Sequence, residues 1–239
     1  MKELSVIVVT HNIDIVMFNK MLNSLRDYTP ELEQLIVFDN VSKTDFNSMV
    51  DSIFKNSGVR IGYIKNDINI GYGRACNEAL RFVQHEFLAT LNDDIEFFSP
   101  WAGRMIDILK TDPMVAQVTP KHGVCNILNE HGDGVKVETD SPDYAEGSCC
   151  MTRTSLMREF GFYDEVYEFA YHEDADLSLR LRKAGYKIRN VEMKWIHYGG
   201  ITASKIKDIG KYQTKNRQIF KSRWNHLFGN KDRRAICGI

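Results

Sequence analysis

The residues best suited to chemistry are acids gathered at two points. Asn92-Asp93-Asp94 ends the apolar run Leu88-Ala89-Thr90-Leu91 and is followed by Ile95-Glu96-Phe97; further on, Tyr171-His172-Glu173-Asp174-Ala175-Asp176 opens a second acidic stretch. An apolar run that stops in carboxylates reads as a buried strand delivering them to the carboxyl edge of a sheet. In open α/β sheets ligands sit at that edge. Carboxylates there can hold a hard divalent cation, and the cation can hold a diphosphate that would otherwise need Lys or Arg. The same triplet also serves as a strand-to-helix loop capped by Asp or Asn, so its meaning depends on its surroundings. The second stretch reads as a helix matched to its own dipole, with acids in the first turn, Arg180, Arg182 and Lys183 in the last, and Gly185 as the stop. Leu177, Leu181 and Ala184 make its apolar stripe, and Asp176 can pair with Arg180. The dipole leaves Glu173 beside Asp174 unexplained, because like charges at the helix mouth oppose each other.

These acids need a scaffold, and the chain supplies one as alternating strands and helices. Leu4 to Thr10 is a β-branched run ending in Thr10-His11-Asn12; a helix from about Asp14 to Tyr28 follows, with Val16, Leu22 and Leu25 among its apolar positions. Gln34 to Phe38 is a second strand ending in Asp39-Asn40, and Ser42 can cap a helix to about Lys55. Arg60 to Lys65 is a third strand ending in Asn66-Asp67, so three strands finish in polar residues able to face one ligand. Asn69-Ile70-Gly71-Tyr72-Gly73-Arg74-Ala75-Cys76-Asn77 opens the next helix, with Cys76, Leu80 and Val83 on one face. Its glycines do not make a dinucleotide-binding turn, since Cys76 stands at the third glycine position and the motif follows the third strand. Glycine here lets the backbone approach a sugar or phosphate at a helix N-terminus. Ser99-Pro100-Trp101 starts a helix to about Lys110, and Met114 to Thr119 is a strand. The polar, glycine-bearing stretch from Lys121 to Tyr144 reads as a hairpin excursion, and a loop on a rigid scaffold is where acceptor specificity is expected. Glu146 to Met151 is a strand of small residues; Lys187 to Val191 and Met193 to Tyr198 are two more. The pattern predicts an α/β fold with a mostly parallel sheet flanked by helices.

Composition narrows the class. With 239 residues, 43% apolar and 26% charged, the chain is an ordinary globular protein with a sizeable core. Five cysteines without a CxxC pair exclude a disulfide framework and a zinc ribbon. Met1-Lys2-Glu3 runs straight into a strand, and no apolar run approaches the roughly 18 residues of a membrane span, so a cytoplasmic location is expected. The net charge of -1 is uneven: residues 201–239 hold ten Lys or Arg against Asp208 and Asp232, a balance of +8, leaving -9 elsewhere. Such a tail, read as a basic helix from about Asp208 to Phe228, suits either an anionic surface or a solvated helical face.

Taken in order, these motifs resemble the inverting glycosyltransferases of family 2, which have the GT-A fold. The resemblance runs from about residue 4 to residue 200: Val-Val-Thr-His-Asn, Asp39-Asn40, the Asn-Ile-Gly-Tyr-Gly-Arg-Ala-Cys-Asn helix start, Leu-Asn-Asp-Asp-Ile, Glu-Asp-Ala-Asp-Leu-Ser-Leu-Arg, and the late His197. It is closest to the rhamnosyl- and galactofuranosyltransferase branch. It implies a GT-A domain over residues 1–200, with a nucleotide-binding half to about 98 and an acceptor and catalytic half after it, then a helical tail over 201–239.

The resemblance implies residue roles as well. Thr10, His11, Asn12, Asp39 and Asn40 would meet the nucleoside, with Asp39 reading the imide N–H of a pyrimidine; Asn69 and Gly71 would approach ribose or sugar. Asn92-Asp93-Asp94 stands at the family's DxD motif with Asn in first place, which puts the Mn²⁺ or Mg²⁺ bond on Asp94 and leaves Asn92 and Asp93 as nucleotide or supporting contacts. His197, which alone reads as an ordinary structural histidine, matches a late histidine that completes the metal site in some members. Asp174 matches the catalytic base, with Glu173 raising its pKa or gripping the acceptor. The donor is then a UDP- or dTDP-sugar and the acceptor a saccharide, possibly lipid-linked, with the tail on a membrane surface. A second acceptor reading is hydroxymethylated DNA held by the tail. A third reading, of another class, is a non-catalytic sugar-nucleotide or glycan-binding module. A nucleotidyltransferase would carry a Gly-rich basic loop after the first strand, and Thr10-His11-Asn12 is not one.

Overall fold

The computed structural model describes residues 3–121, 125–128, 134–137 and 142–228. The first strand, β1 (Leu4–Thr10), lies inside a sheet because every one of its residues is apolar or small enough to bury. It pairs in parallel with β2 (Leu32–Asp39) and β4 (Phe87–Asn92), and β2 pairs in parallel with β3 (Arg60–Lys65). The far half adds β9 (Cys149–Arg153), antiparallel between β4 and β6 (Val115–Lys121), and β10 (Lys187–Glu192) parallel to β6. The seven-stranded order is therefore β10-β6-β9-β4-β1-β2-β3. A two-residue interruption after Asn92 starts β5 (Ile95–Phe97), which leaves the main sheet and pairs antiparallel with β11 (Trp195–His197). The expected excursion after Lys121 is a hairpin of β7 (Cys125–Leu128) and β8 (Gly134–Val137); residues 122–124, 129–133 and 138–141, and the tail beyond 228, lie outside the described residues.

Side-chain alternation along the strands gives the sheet two faces, and each is covered. Leu4, Val6 and Val8 face α1 (Ile15–Tyr28), α2 (Asn47–Phe54) and α4 (Ala102–Thr111), whose Phe18, Leu22, Val50 and Met105 are buried with them. Ile7 and Val9 face α3 (Tyr72–Leu80), α5 (Thr154–Phe160) and α6 (Glu173–Lys183) through Cys76, Met157 and Leu177. Each fully buried aliphatic side chain contributes roughly 1.5–3 kcal/mol, and the two faces together make a continuous three-layer α/β/α stack.

Some boundaries differ from expectation. Ser42 does not cap α2, because its hydroxyl accepts the Asn12 N–H while its own N–H donates to Asp39, and the helix begins five residues later at Asn47. α3 stops at Leu80, short of Val83. In α6, Ala184 is exposed while Ala175, Asp176, Ser178 and Leu179 are buried beside Leu177 and Leu181. Ser178 is buried against β6, where it donates to Gln117; the rest of the extra burial comes from α7 (Ile209–Phe228), which lies against the outer side of α6 through Phe220 and Trp224, together with Tyr167.

Candidate active site

The strand interruption after Asn92 makes one end of the site. Turning the chain out of β4 and into β5 leaves Asp93 and Asp94 between them, 3% and 2% exposed. The β5–β11 register sets His197 opposite Ile95, and this brings its ring over the acids. His197 Nε2 lies 3.2 Å from Asp94 Oδ1 and 3.2 Å from Asn92 Nδ2; its Nδ1 lies 3.6 Å from Glu146 Oε1. Burial alone would lower the histidine pKa, but the two carboxylates outweigh it and hold it at about 9. Asp93 turns the other way and accepts the Thr202 hydroxyl at 2.9 and 3.1 Å. Burial, reinforced by Asp94, lifts its pKa to about 7. Thr202 belongs to a segment entered through Gly199 and Gly200, both at positive φ, and Lys205 in the same segment donates to the Asn12 carbonyl. Residues 200–206 thereby lie along the site.

The first three strand ends form the second wall. Thr10, His11, Asn40, Asn69 and Gly71 all reach the cavity. Asn40 shapes the glycine turn, accepting the Ile70 N–H and donating to the Gly71 carbonyl at 3.2 Å, while Asn69 Oδ1 accepts the Gly71 N–H at 2.9 Å. Asn12 and Asp39 are not on this wall. Asp39 is fully buried, with Oδ1 accepting from Ser42 N–H at 2.7 Å and Oδ2 from the Tyr63 hydroxyl at 2.8 Å; Asn12 Oδ1 accepts the Lys43 N–H. Both hold the loops that present His11 and Asn40, and neither carries a free polar edge into the cavity.

The third wall is the mouth of α6. Asp174 Oδ2 accepts the Gly147 N–H at 3.0 Å, and its Oδ1 accepts from Ala175 N–H. Burial raises its pKa to about 6, against the lowering pull of those N–H groups. Glu173 packs toward Gly73 and Asp174 toward Gly147, so the adjacent carboxyls serve different walls. Burial first, and then the Asp174 charge, push the Glu173 pKa well above the carboxylate range. Asp176 has no part in the cavity. It is fully buried and accepts from Tyr167, Arg180, Arg223 and Trp224, a charge compensated on every side.

The three walls enclose a cavity of about 480 Å³. Thr10, Asp94, Ser148 and Glu173 each bury one side-chain oxygen there that no hydrogen bond among the described residues satisfies. An unsatisfied buried polar atom costs roughly 1–3 kcal/mol, so four around one cavity mark a place built for polar ligand atoms. The donor set also suits a divalent cation. Asp94 Oδ1 lies 3.2 Å from an imidazole nitrogen, an ion pair while the ring is protonated, and a cation between them would take the place of the histidine proton. Among the described residues no third His, Cys, Asp or Glu joins these two in a metal-binding cluster. Ser148, Thr202 and Tyr144 also line the cavity without any motif to announce them; Ser148 was visible only as one of several small strand residues.

The fold has relatives among solved structures. GalNAc-T7 with UDP, GalNAc and Mn²⁺ superposes with a TM-score of 0.77 at 14% identity, over 99% of this chain and 51% of that one. The mannosyltransferase PcManGT from Pyrobaculum calidifontis, in complex with GDP-Man and Mn²⁺, gives 0.59 at 18% identity, over 80% and 55%. S. aureus TarS 1–349 in complex with UDP-GlcNAc gives 0.60 at 16% identity, over 94% and 72%. At such identities the likeness is one of fold, the GT-A type, and the chain spans about half the length of the first two. No curated protein sequence matches significantly. The family model described as glycosyl transferase family 2 matches residues 5–175, nearly three quarters of the chain and both acid motifs up to Asp174, and on that match this chain belongs to glycosyl transferase family 2.

Proposed function

We propose that the chain is a metal-dependent, inverting glycosyltransferase that moves a sugar from a nucleoside-diphosphate sugar, UDP- or dTDP-linked, to a hydroxyl of a saccharide or lipid-linked saccharide. The observation that carries this reading is the convergence of a carboxylate–histidine pair, Asp94 and His197, and a half-buried carboxylate at a helix mouth, Asp174, on one cavity with unsatisfied polar walls. Asp94 and His197 would hold Mn²⁺ or Mg²⁺, which when bound supplies positive charge to a departing diphosphate. Thr10, His11, Asn40, Asn69, Gly71 and Asn92 receive the nucleotide and sugar, and Asp93 ties down Thr202 beside them. Asp174 accepts the proton of the attacking acceptor hydroxyl as that oxygen bonds the anomeric carbon and the diphosphate leaves on the opposite side. The raised pKa of Asp174 suits a base that must take a proton from an alcohol near neutral pH. Residues 1–98 then form the donor half and 99–200 the acceptor half. The motif order favours the rhamnosyl- and galactofuranosyltransferase branch.

A DNA acceptor ranks below a saccharide. Of the tail's cations, Arg223 is bound to Asp164 and Asp176, Lys215 to Glu168 and Lys211 to Asp208. The cavity wall also carries Glu146 and Asp174, whose negative charge repels a polyphosphate. No described helix is long and apolar enough to cross a membrane; a peripheral position on the cytoplasmic face fits a lipid-linked acceptor. The deciding experiment is thermal melting with UDP, dTDP, GDP and CDP, each with and without Mn²⁺. A nucleotide at about a hundred times its dissociation constant adds roughly 2.7 kcal/mol, or on the order of 5–10 °C for a domain this size. A shift by a pyrimidine diphosphate that needs Mn²⁺ is the expected outcome. No shift with any nucleotide refutes the donor site and favours a glycan-binding module.

A further inference from the structure

The segment leading into the catalytic carboxylates has an unusual backbone. Phe169, Tyr171 and His172 all have positive φ, at 61°, 80° and 73°, a region that non-glycine residues rarely adopt. Such a conformation persists only where its surroundings hold it. One side chain does most of the holding. Asn216, on α7, is fully buried in the row Tyr212, Asn216, Phe220, Trp224 that α7 turns inward, although Asn in an apolar row is costly unless fully bonded. Its Nδ2 donates to the carbonyls of Glu168 at 2.8 Å, Ala170 at 2.9 Å and Tyr171 at 3.4 Å, and its Oδ1 accepts the Glu168 N–H at 3.1 Å. The segment so held touches both sides of the site. The Phe169 carbonyl accepts the Tyr72 N–H at 2.6 Å at the glycine turn, and His172, stacked on Phe220, is the residue from which Glu173 and Asp174 start.

We propose that Asn216 is a positioning residue for the reaction: from the C-terminal helix it clamps residues 168–171 in the left-handed path that delivers Asp174 to the cavity. The proposal rests on Asp174 being the base. It also gives the basic tail a role within the catalytic domain, with Asn216 tying α7 directly to the loop while Asp176 separately docks α7 on α6.

The test uses the full chain and three variants. Asn216→Ala removes the clamp. Asn216→Asp keeps its volume but turns oxygen lone pairs toward three carbonyls, and so separates bonding from packing. Trp224→Phe removes one donor to Asp176 from the same helix without touching the loop. Two quantities are read: deuterium uptake by the amides of residues 168–175, and UDP release from UDP-glucose, UDP-galactose and UDP-GlcNAc with Mn²⁺. Both Asn216 variants are expected to raise uptake across 168–175 at least tenfold. Both should also lower kcat for UDP release at least tenfold, with KM for the donor within twofold; Trp224→Phe should lose thermal stability and do neither. Uptake in the Asn216 variants no greater than in Trp224→Phe overturns the clamp, and so does a loosened loop with unchanged kcat. If the unaltered chain releases UDP from none of the three, the nucleotide melting test decides the transferase reading, and the exchange measurement by itself decides whether Asn216 holds the segment.

Discussion

Replacing Gly71 by Ala tests the central joint of the site, where the donor-side glycine turn meets the loop that carries the base. Gly71 has φ +87° and ψ 168°, a region essentially reserved for glycine, and Ala there costs about 1–3 kcal/mol in backbone strain alone. The added Cβ would also stand 2.7 Å from Phe169 Cα and 2.8 Å from Phe169 N. Those are backbone atoms, held by Asn216 and by the Tyr72 N–H, so they cannot swing aside as a flexible side chain would. Overpacking of this kind adds about 1–3 kcal/mol. The sum, roughly 2–6 kcal/mol, corresponds to a fall in Tm on the order of 10 °C. Gly161 supplies the control, because it too has positive φ, +65°, but a Cβ there meets nothing within 4 Å. Gly161→Ala therefore carries the strain without the collision, and urea unfolding of both variants isolates the second contribution. Gly71→Ala should lose at least about 1 kcal/mol more than Gly161→Ala, and should also weaken nucleotide binding. Equal losses would falsify the claim that Phe169 is pressed against the glycine turn.

Other outcomes follow from the same geometry. Asp174→Asn should leave Mn²⁺-dependent nucleotide binding within about twofold while abolishing sugar transfer, a loss on the order of 10²–10⁴ for a general base; retained turnover sinks the assignment. Asp94→Ala should weaken UDP binding in Mn²⁺ at least tenfold and leave metal-free binding alone, measured by calorimetry; unchanged affinity with Mn²⁺ counts against the metal site. Because the Asp174 pKa is raised to about 6 and a base works deprotonated, kcat/KM should fall about tenfold per pH unit below 6. A limb near 4, the range of an exposed carboxylate, would contradict its burial. Glu173 titrates well above its unfolded value, so its favourable protonated state is fully present below about pH 4 and is lost as pH rises through its raised folded pKa. Glu173→Gln should therefore gain in Tm relative to the unaltered protein on going from pH 5 to pH 8; a constant difference would mean the carboxyl is not buried as described.

Much of this molecule is legible in its sequence because the relevant signals are local. Apolar runs ending in Thr10, Asp39 and Asn92 are buried strands whatever surrounds them, and a parallel sheet gathers their polar ends at one edge. The pairing of Asp176 with Arg180 follows from helical spacing, and the acid-first, base-last α6 from its dipole. What the sequence could not disclose depends on contacts between distant segments. Nothing in Asn-Asp-Asp says which acid turns toward His197 and which toward Thr202; the antiparallel register of β5 and β11 decides that. Asp39 and Asn12 belong to the right motif yet brace loops behind the wall, because Ser42, Tyr63 and Lys43 reach them first. The tail reads as a basic helix with a few apolar residues, and charge count alone suggested an external partner. Asp176 and Asn216 acquire their roles only when α7 docks on α6, since a buried polar group is tolerable only where the fold completes its hydrogen bonds. Composition and periodicity thus determine the elements and the order in which they meet the ligand edge; tertiary packing alone decides which polar atoms are left open to a ligand and which are consumed in holding the site together.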